Sequence, residues 1–319
     1  MYNKKFYGEK MKIYISGAYG MVGRNISQNL EENGFKILKT RSSELNLLHY
    51  DEIKNYLNEN KPDFVIHCAG KVGGIQANIK DSYGFFTENM LMGINLVKAA
   101  KEAEIKNFLN LSSSCSYPPK CENPLKEEYV FDGKLEPTNE GYAIAKASIT
   151  KMCEFLTRQF NGYNYKTIIP CNLYGRYDKF GENNSHMIPA VIKKLHLAKE
   201  NNINVVEIWG SGNARREFMY AGDLAQMVNY IVKNFEKMPP VLNVGLGYDY
   251  TVNKYYEIIA KIVGFNGTFV HDAAKPEGMK QKLLDITKQK EFGLKSIYSI
   301  EEGIKETYKY YLEEENNAL

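Results

Sequence analysis

The chain has 319 residues, room for one large α/β unit or two units around a shared cleft. Hydrophobic residues are 44% and charged residues 25%, which excludes a disordered or low-complexity chain. A formal net charge of +3 is too small to argue for nucleic acid, and no apolar run approaches the roughly 20 residues of a membrane helix.

Residues 1–10 are polar and lysine-bearing, lack an apolar signal core, and read as a tail. Met11 is a candidate natural start. The five cysteines, at 68, 115, 121, 153 and 171, form no C-x-x-C pair. Reduced thiols in a cytoplasmic protein are expected, with no metal site.

Lys12–Ser16 reads as a strand. Gly17-Ala18-Tyr19-Gly20-Met21-Val22-Gly23 follows, then a helical pattern to about Asn33. Glycines between a strand and a helix allow a tight turn and bring backbone N–H groups close to a pyrophosphate. The second strand, Phe35–Lys39, ends in Lys39-Thr40-Arg41, and no Asp or Glu occurs from Gly34 to Ser43. An acid here would hold a ribose 2′-hydroxyl; an Arg accommodates a 2′-phosphate. The reading is NADP(H), with Arg41 the first phosphate ligand and Lys39 the second.

Strands and helices keep alternating. Strands are predicted over 63–69, 107–111 and 166–170, and helices over 81–104 and 142–160. This implies a doubly wound parallel sheet, with ligands above the carboxyl ends of its strands. Gly70–Gly74 and Ser112–Ser116 fall on that edge. After Pro170 the pattern loosens. Residues 171–185 read as a polar loop, 187–200 as a helix, 205–209 as a strand and 222–237 as a helix. A short strand at 242–244, a helix from a Thr251 cap to Val263 and a helix at 300–314 complete the chain. We therefore expect a Rossmann unit over 11–170, with segments near 203–240 rejoining it. A smaller, discontinuous mixed α/β unit within 171–319 would bind substrate.

Tyr142-Ala-Ile-Ala-Lys146 puts a phenol and an ammonium on one helix face. An ammonium beside a phenol favours the phenolate and lowers a pKa that starts at about 10. Tyr142 then suits the general acid that protonates a ketone during reduction.

The glycine loop, Ser113 and Tyr142-x-x-x-Lys146 resemble the extended short-chain dehydrogenase/reductase family. Further stretches resemble its GDP-L-fucose synthase branch, whose members reduce and epimerise a GDP-4-keto-6-deoxy-sugar with NADPH. They are Glu44–Leu48, Lys71–Gly74, Ser113–Pro118, Glu136–Asn139, Asn172–Gly175, Asn184–Pro189, Trp209–Gly212, Arg216–Phe218 and Lys282–Asp285. The resemblance implies that Gly17 to Gly23, Arg41, Leu111, Ser112, Ser113, Ser114, Lys146, Pro170, Cys171, Asn172, Leu173 and His186 line NADPH. It also implies that Trp209, Arg216 and Glu277 contact the GDP-sugar, with Lys282 a further contact. Ser113 and Tyr142 would serve the ketone. Cys115 and His186 match the epimerisation base and acid. Two positions depart from the pattern. Lys194 stands where the branch carries a substrate-facing Arg, and Tyr19 where relatives often carry Arg. Lys keeps the charge but not bidentate phosphate recognition.

The implied reaction is C4-keto reduction of a GDP-4-keto-6-deoxy-sugar, with or without C3/C5 epimerisation. A reductase-only enzyme on a GDP-4-keto-heptose is the alternative. A tightly NAD-bound epimerase or dehydratase fits Arg41 poorly, and a non-catalytic NADP-binding protein fits the intact Ser113, Tyr142 and Lys146 poorly. For Trp209, core packing competes with substrate contact. By analogy with relatives, the helices at 81–104 and 142–160 would pair across a homodimer.

Overall fold

The computed structural model describes residues 11–181, 185–275 and 279–318. The tail over 1–10 and Glu277 lie outside them. The first half runs β1 (Lys12–Ser16), α1 (Met21–Glu32), β2 (Lys36–Lys39), α2 (Tyr50–Asn60), β3 (Phe64–His67) and α3 (Ile75–Lys80). Then come α4 (Ser82–Glu102), β4 (Asn107–Leu111), α5 (Glu140–Gln159) and β5 (Asn164–Pro170). The second half runs β6 (Asn172–Tyr174), α6 (Met187–Glu200), β7 (Val205–Trp209), β8 (Arg215–Arg216), β9 (Phe218–Tyr220) and α7 (Ala221–Lys233). It closes with β10 (Val241–Val244), β11 (Tyr250–Thr251), α8 (Val252–Val263), β12 (Thr268–Asp272), β13 (Gln281–Lys282), α9 (Thr287–Phe292) and α10 (Ile300–Ala318).

Six strands form one parallel sheet in the order β10-β5-β4-β3-β1-β2. Its central strands are buried on both faces, so they read as near-continuous apolar runs such as Phe64-Val-Ile-His67. Helices α1 and α7 pack on one face, and α2, α4 and α5 on the other. At Gly93 a β-carbon would meet Ile149 Cγ1 at 2.5 Å, so glycine lets α4 and α5 close on each other. Asp81 caps α4 through Gly84 N at 3.0 Å, and Thr251 caps α8 through Lys254 N at 3.1 Å.

The second half builds a smaller layer from short strands. β11, β8 and β13 form one three-stranded sheet, β12 pairs with β7, and β6 pairs with β9. Helices α6, α8 and α10 cover them around Tyr174, Ile192, Tyr255 and Ile304.

Three local expectations change. The stretch over 171–185 carries β6, because its backbone pairs with β9 across 46 positions, Asn172 to Phe218. Strand β7 pairs with β12 rather than returning to the large sheet; within and after 203–240, α7 and β10 make that return. Helix α7 stops at Lys233, with a tight turn over Phe235–Lys237. There the buried Lys166 ammonium donates to the carbonyls of Phe235, Glu236 and Met238 at 2.8, 3.0 and 2.6 Å. Those carbonyls are occupied by a charge-assisted partner, which fixes the turn in place of another helical turn.

A ladder joins the two halves. Leu125 N donates to Leu283 O at 2.7 Å and Asp285 N to Leu125 O at 2.9 Å. Asn243 of β10 donates through Nδ2 to Leu125 O and Asp285 O, and Tyr117 donates to its Oδ1 at 2.6 Å. The loop after β4 and the strand β13 are thereby held to the edge of the large sheet.

Candidate active site

The glycine loop does what its residues dictate. Gly17 has φ +70°, and a β-carbon there would meet the Ala69 backbone at 2.7 Å. At Gly23 a β-carbon would lie 2.1 Å from Gly17 O, so only glycine lets α1 sit this close to the turn. Gly20 caps α1 without a side chain, and its N donates to Gly17 O at 3.0 Å. The helix start thus presents backbone N–H groups of the kind that bind an anion.

Beside it lies a cleft of about 360 Å³ lined by Ala18, Tyr19, Arg24, Lys39, Arg41 and Tyr177, among others. The Arg41 guanidinium stacks over the Tyr19 ring at 4.2 Å. Tyr19, where relatives often carry Arg, therefore supports Arg41 as a platform. Lys39 is held by Glu31 at 2.6 Å, which partly neutralises it. The cradle and this basic cleft fit a dinucleotide with a 2′-phosphate.

Ser113, Cys115, Tyr142 and Lys146 gather at the carboxyl edge of the sheet. Ser113 follows β4 and caps a short turn over Ser114–Ser116, its Oγ accepting from Cys115 N at 3.2 Å. Ser112 is buried in a hydroxyl chain with Thr150 at 3.0 Å. The Lys146 ammonium is buried on α5 and donates to Leu111 O at 3.0 Å. Burial pulls its pKa down to about 8, opposed by nearby Cys68. A β-carbon at Gly70 would stand 3.0 Å from Asn89 Oδ1, so glycine suits the close packing on this flank of the site.

Tyr142 corrects an expectation. Its pKa lies above the usual phenol value, not below. Burial raises it most and negative charge on Cys115 adds to that, while a hydrogen bond with Ser113 opposes. Lys146 sits 5.9 Å from the ring centre with its charge directed to Leu111 O, and its lowering effect is not felt. A phenol that keeps its proton is the correct form for a donor to an alkoxide.

Cys115 receives two donors: Asn139 Nδ2 at 3.2 Å and Lys282 Nζ at 3.4 Å. Burial opposes its ionisation, but the Lys282 charge and hydrogen bonds from Ser113, Lys282 and Asn139 outweigh burial and bring the pKa below that of an ordinary thiol. Lys282 therefore sits against the sulfur rather than serving only as a sugar contact. Asn139 was not among the expected site residues, although it ends the matched Glu136–Asn139 stretch.

His186 lies at the start of α6, with Nδ1 3.4 Å from Asp178 Oδ1, its hydrogen-bonding partner among the described residues. That bond raises its pKa against the effect of burial, favouring the imidazolium. Pro170 ends β5, Cys171 N donates to Val244 O, Asn172 Nδ2 donates to Glu217 O at 2.8 Å, and Leu173 follows on β6.

On the cap, Trp209 ends β7 and is 56% exposed, which rules out the core role. The Lys275 ammonium stands over its ring at 5.4 Å. Lys194 donates to Glu207 O at 2.5 Å, so its charge lies beside β7 rather than projecting as an Arg fork would. Arg216 on β8 is paired in register with Lys282 on β13.

Glu217, next to Arg216, is a buckle that sequence reading did not identify. It is 0% exposed and accepts from Leu246 N, Gly247 N and Leu284 N at 2.6, 2.8 and 2.9 Å. Burial pushes its pKa up to about 7 although these three bonds pull the other way.

Sequence comparison places this architecture. The profile of the NAD dependent epimerase/dehydratase family matches residues 13–245. The chain belongs to that family. It is 53% identical over 307 residues to a GDP-L-colitose synthase of Yersinia pseudotuberculosis, covering 96% of this chain and 100% of that protein. A GDP-L-fucose synthase of Azorhizobium caulinodans is 43% identical over 305 residues, covering 96% and 97%. Among solved structures, an NADP-bound GDP-mannoheptose C4 reductase of Campylobacter jejuni aligns with TM-score 0.87 at 31% identity, covering 95% and 98%.

Proposed function

We propose that this protein is an NADPH-dependent reductase of a GDP-linked 4-keto-6-deoxy-sugar that also epimerises next to the ketone. The observation carrying this is the cluster at the sheet edge: Ser113 capping the turn that carries Cys115, and Tyr142 and Lys146 on one face of α5 with the ammonium 5.9 Å from the ring centre. We assign cofactor binding to the unit around the large sheet and sugar-nucleotide binding to the short-stranded cap. Arg41 and the start of α1 would hold the phosphates of the cofactor. Trp209 and Arg216 would face the GDP-sugar. NADPH, when bound, supplies the hydride.

Tyr142 gives its phenolic proton to the oxygen on which charge develops as C4 is reduced. Ser113 donates a hydrogen bond to the same oxygen. For epimerisation, the Cys115 sulfur takes a proton from a carbon beside the ketone. The C–H electron pair moves into the enolate, and protonated His186 returns a proton to the opposite face. The 53% identical GDP-L-colitose synthase and the 43% identical GDP-L-fucose synthase favour this dual reading. The second reading, reduction alone on a GDP-4-keto-heptose, is favoured by the structural likeness to the GDP-mannoheptose C4 reductase.

We also propose a homodimer built on α4 and α5, whose packed pair leaves Tyr83, Leu91 and Phe155 exposed. Sedimentation giving a stable monomer at micromolar concentration would sink it. A cytoplasmic setting is supported by five free cysteines, and no described helix is long and apolar enough to cross a membrane.

The test is incubation with NADPH in heavy water. The 4-keto precursors of GDP-L-fucose and of GDP-L-colitose, and a GDP-4-keto-heptose, are offered separately, and products are read by NMR. NADP formation with deuterium at a carbon flanking C4 is the expected result. Reduction without deuterium selects the reductase-only reading. No NADPH oxidation with any of the three overturns both.

A further inference from the structure

The Cys115 sulfur is the meeting point of three elements far apart in sequence. Cys115 comes from the turn after β4, Asn139 from the segment entering α5, and Lys282 from β13. Both neighbours point donors at one atom, at 3.2 Å and 3.4 Å. A thiol is a weak acceptor, and burying an ammonium against one gains little. A thiolate is a strong acceptor, and an ammonium that is only 9% exposed acts on it with little screening by water. We infer that Lys282 and Asn139 are positioning residues that hold the Cys115 sulfur as an anion, ready to take a carbon-bound proton from the substrate. Which proton is taken rests on the proposed function; the ionised sulfur does not.

The other cysteines are an internal control. Burial pushes Cys68 and Cys153 up to about 12 and raises Cys121 and Cys171. Cys115, half-buried like Cys68 and Cys121, moves the other way. Of the charged and titratable groups facing it, Lys282 supplies the favourable charge and Tyr142 stays protonated under the sulfur's influence. One polar atom beside the sulfur is left over: Asn139 Oδ1 is buried with no hydrogen-bond partner among the described residues. A sugar hydroxyl would satisfy it, which points to a ligand at this spot. In the step itself the sulfur lone pair forms the S–H bond. The C–H bond breaks, and its electrons pass to the enolate oxygen at C4.

The test reads ionisation directly on the full chain. Limiting iodoacetamide is applied across pH 5 to 10, and peptide mass spectrometry gives each cysteine's alkylation rate. Cys115 is expected to react at the lowest pH of the five. Lys282→Met should move its midpoint up by at least about one pH unit, a loss of roughly tenfold in rate at pH 6. Lys282→Arg, which keeps the charge, should restore most of it. Asn139→Ala should give a smaller upward shift. If Lys282→Met does not fold, Lys282→Gln carries the same measurement. An unmoved Cys115 midpoint in the charge-removing variant overturns the inference. A low midpoint that depends on Lys282, in a protein that turns over no GDP-keto-sugar, overturns the proposed function and leaves this inference standing.

Discussion

The large sheet and the cap obey different logics. In the sheet, β1, β2, β3 and β4 each lead into a helix, and side chains for chemistry emerge from the turns that follow the strands. Gly17 to Gly23 and Ser113 lie directly after β1 and β4, and Lys146 on α5 is held by Leu111 O at the end of β4. In the cap, β8, β11 and β13 are two residues long and have no stability of their own. They exist because Glu217 gathers three backbone N–H groups and because Asp249 holds Arg215 and Gln281. Chemistry in the first region is placed by backbone geometry. In the second it is placed by buried charge, so the two should fail differently when mutated.

The largest effect is expected on the sheet side. Tyr142→Phe removes the proton donor and should cut the rate of C4 reduction by about 10²–10⁴-fold, while NADPH binding by fluorescence titration stays near the wild-type value. Undiminished turnover would show that another group protonates the alkoxide. Arg41→Ala should raise the KM for NADPH by roughly tenfold or more and leave that for NADH little changed, since only the 2′-phosphate contact is lost. Equal losses for both cofactors would place Arg41 outside the phosphate site.

The cap should fail through stability first. Glu217→Gln turns one acceptor towards Leu284 N into a donor, and thermal melting should reveal a loss of about 1–3 kcal/mol. The sign with pH follows from the raised folded value of about 7. The folded state holds this proton more tightly than the unfolded chain, whose carboxyl titrates near 4.5. The stabilising contribution is thus complete below about 4.5 and is lost as pH rises through 7. The wild-type advantage over Glu217→Gln should shrink from pH 5 to pH 8. An advantage that grows instead would mean the buried carboxylate is ionised throughout.

Sequence was most informative where physics is local. The strands β1 and β4 begin and end where apolar patterning and glycine punctuation put them, and Thr251 caps α8 as its type suggests. The doubly wound parallel sheet followed from the alternation of strands and helices. Legibility ended where a contact spans the chain. Lys282 reaches Cys115 across 167 positions, and no pattern near either residue announces it. Asn139 had one signal, membership of a matched motif, but no chemistry attached to it. The phenol pKa was read from a Tyr–Lys spacing alone. Burial and the neighbouring sulfur, neither visible in that spacing, reverse its direction. For Trp209, sequence left core packing competing with substrate contact; its exposure at the end of β7, in a thin two-stranded sheet, removes the core reading.

The Leu125 ladder bears on how such proteins could be recombined. Leu125 and Leu283–Asp285 are stitched by backbone bonds and by Asn243 of β10, so the loop that follows Cys115 is tied to the segment after β13 as well as to the sheet from which it springs. A chimera that exchanges only the C-terminal half between relatives would cut this seam and strand the sulfur without its lysine. The natural unit of exchange is the later half together with residues 115–139. Substrate preference in this architecture would then be inherited as two separated blocks of sequence that move as one.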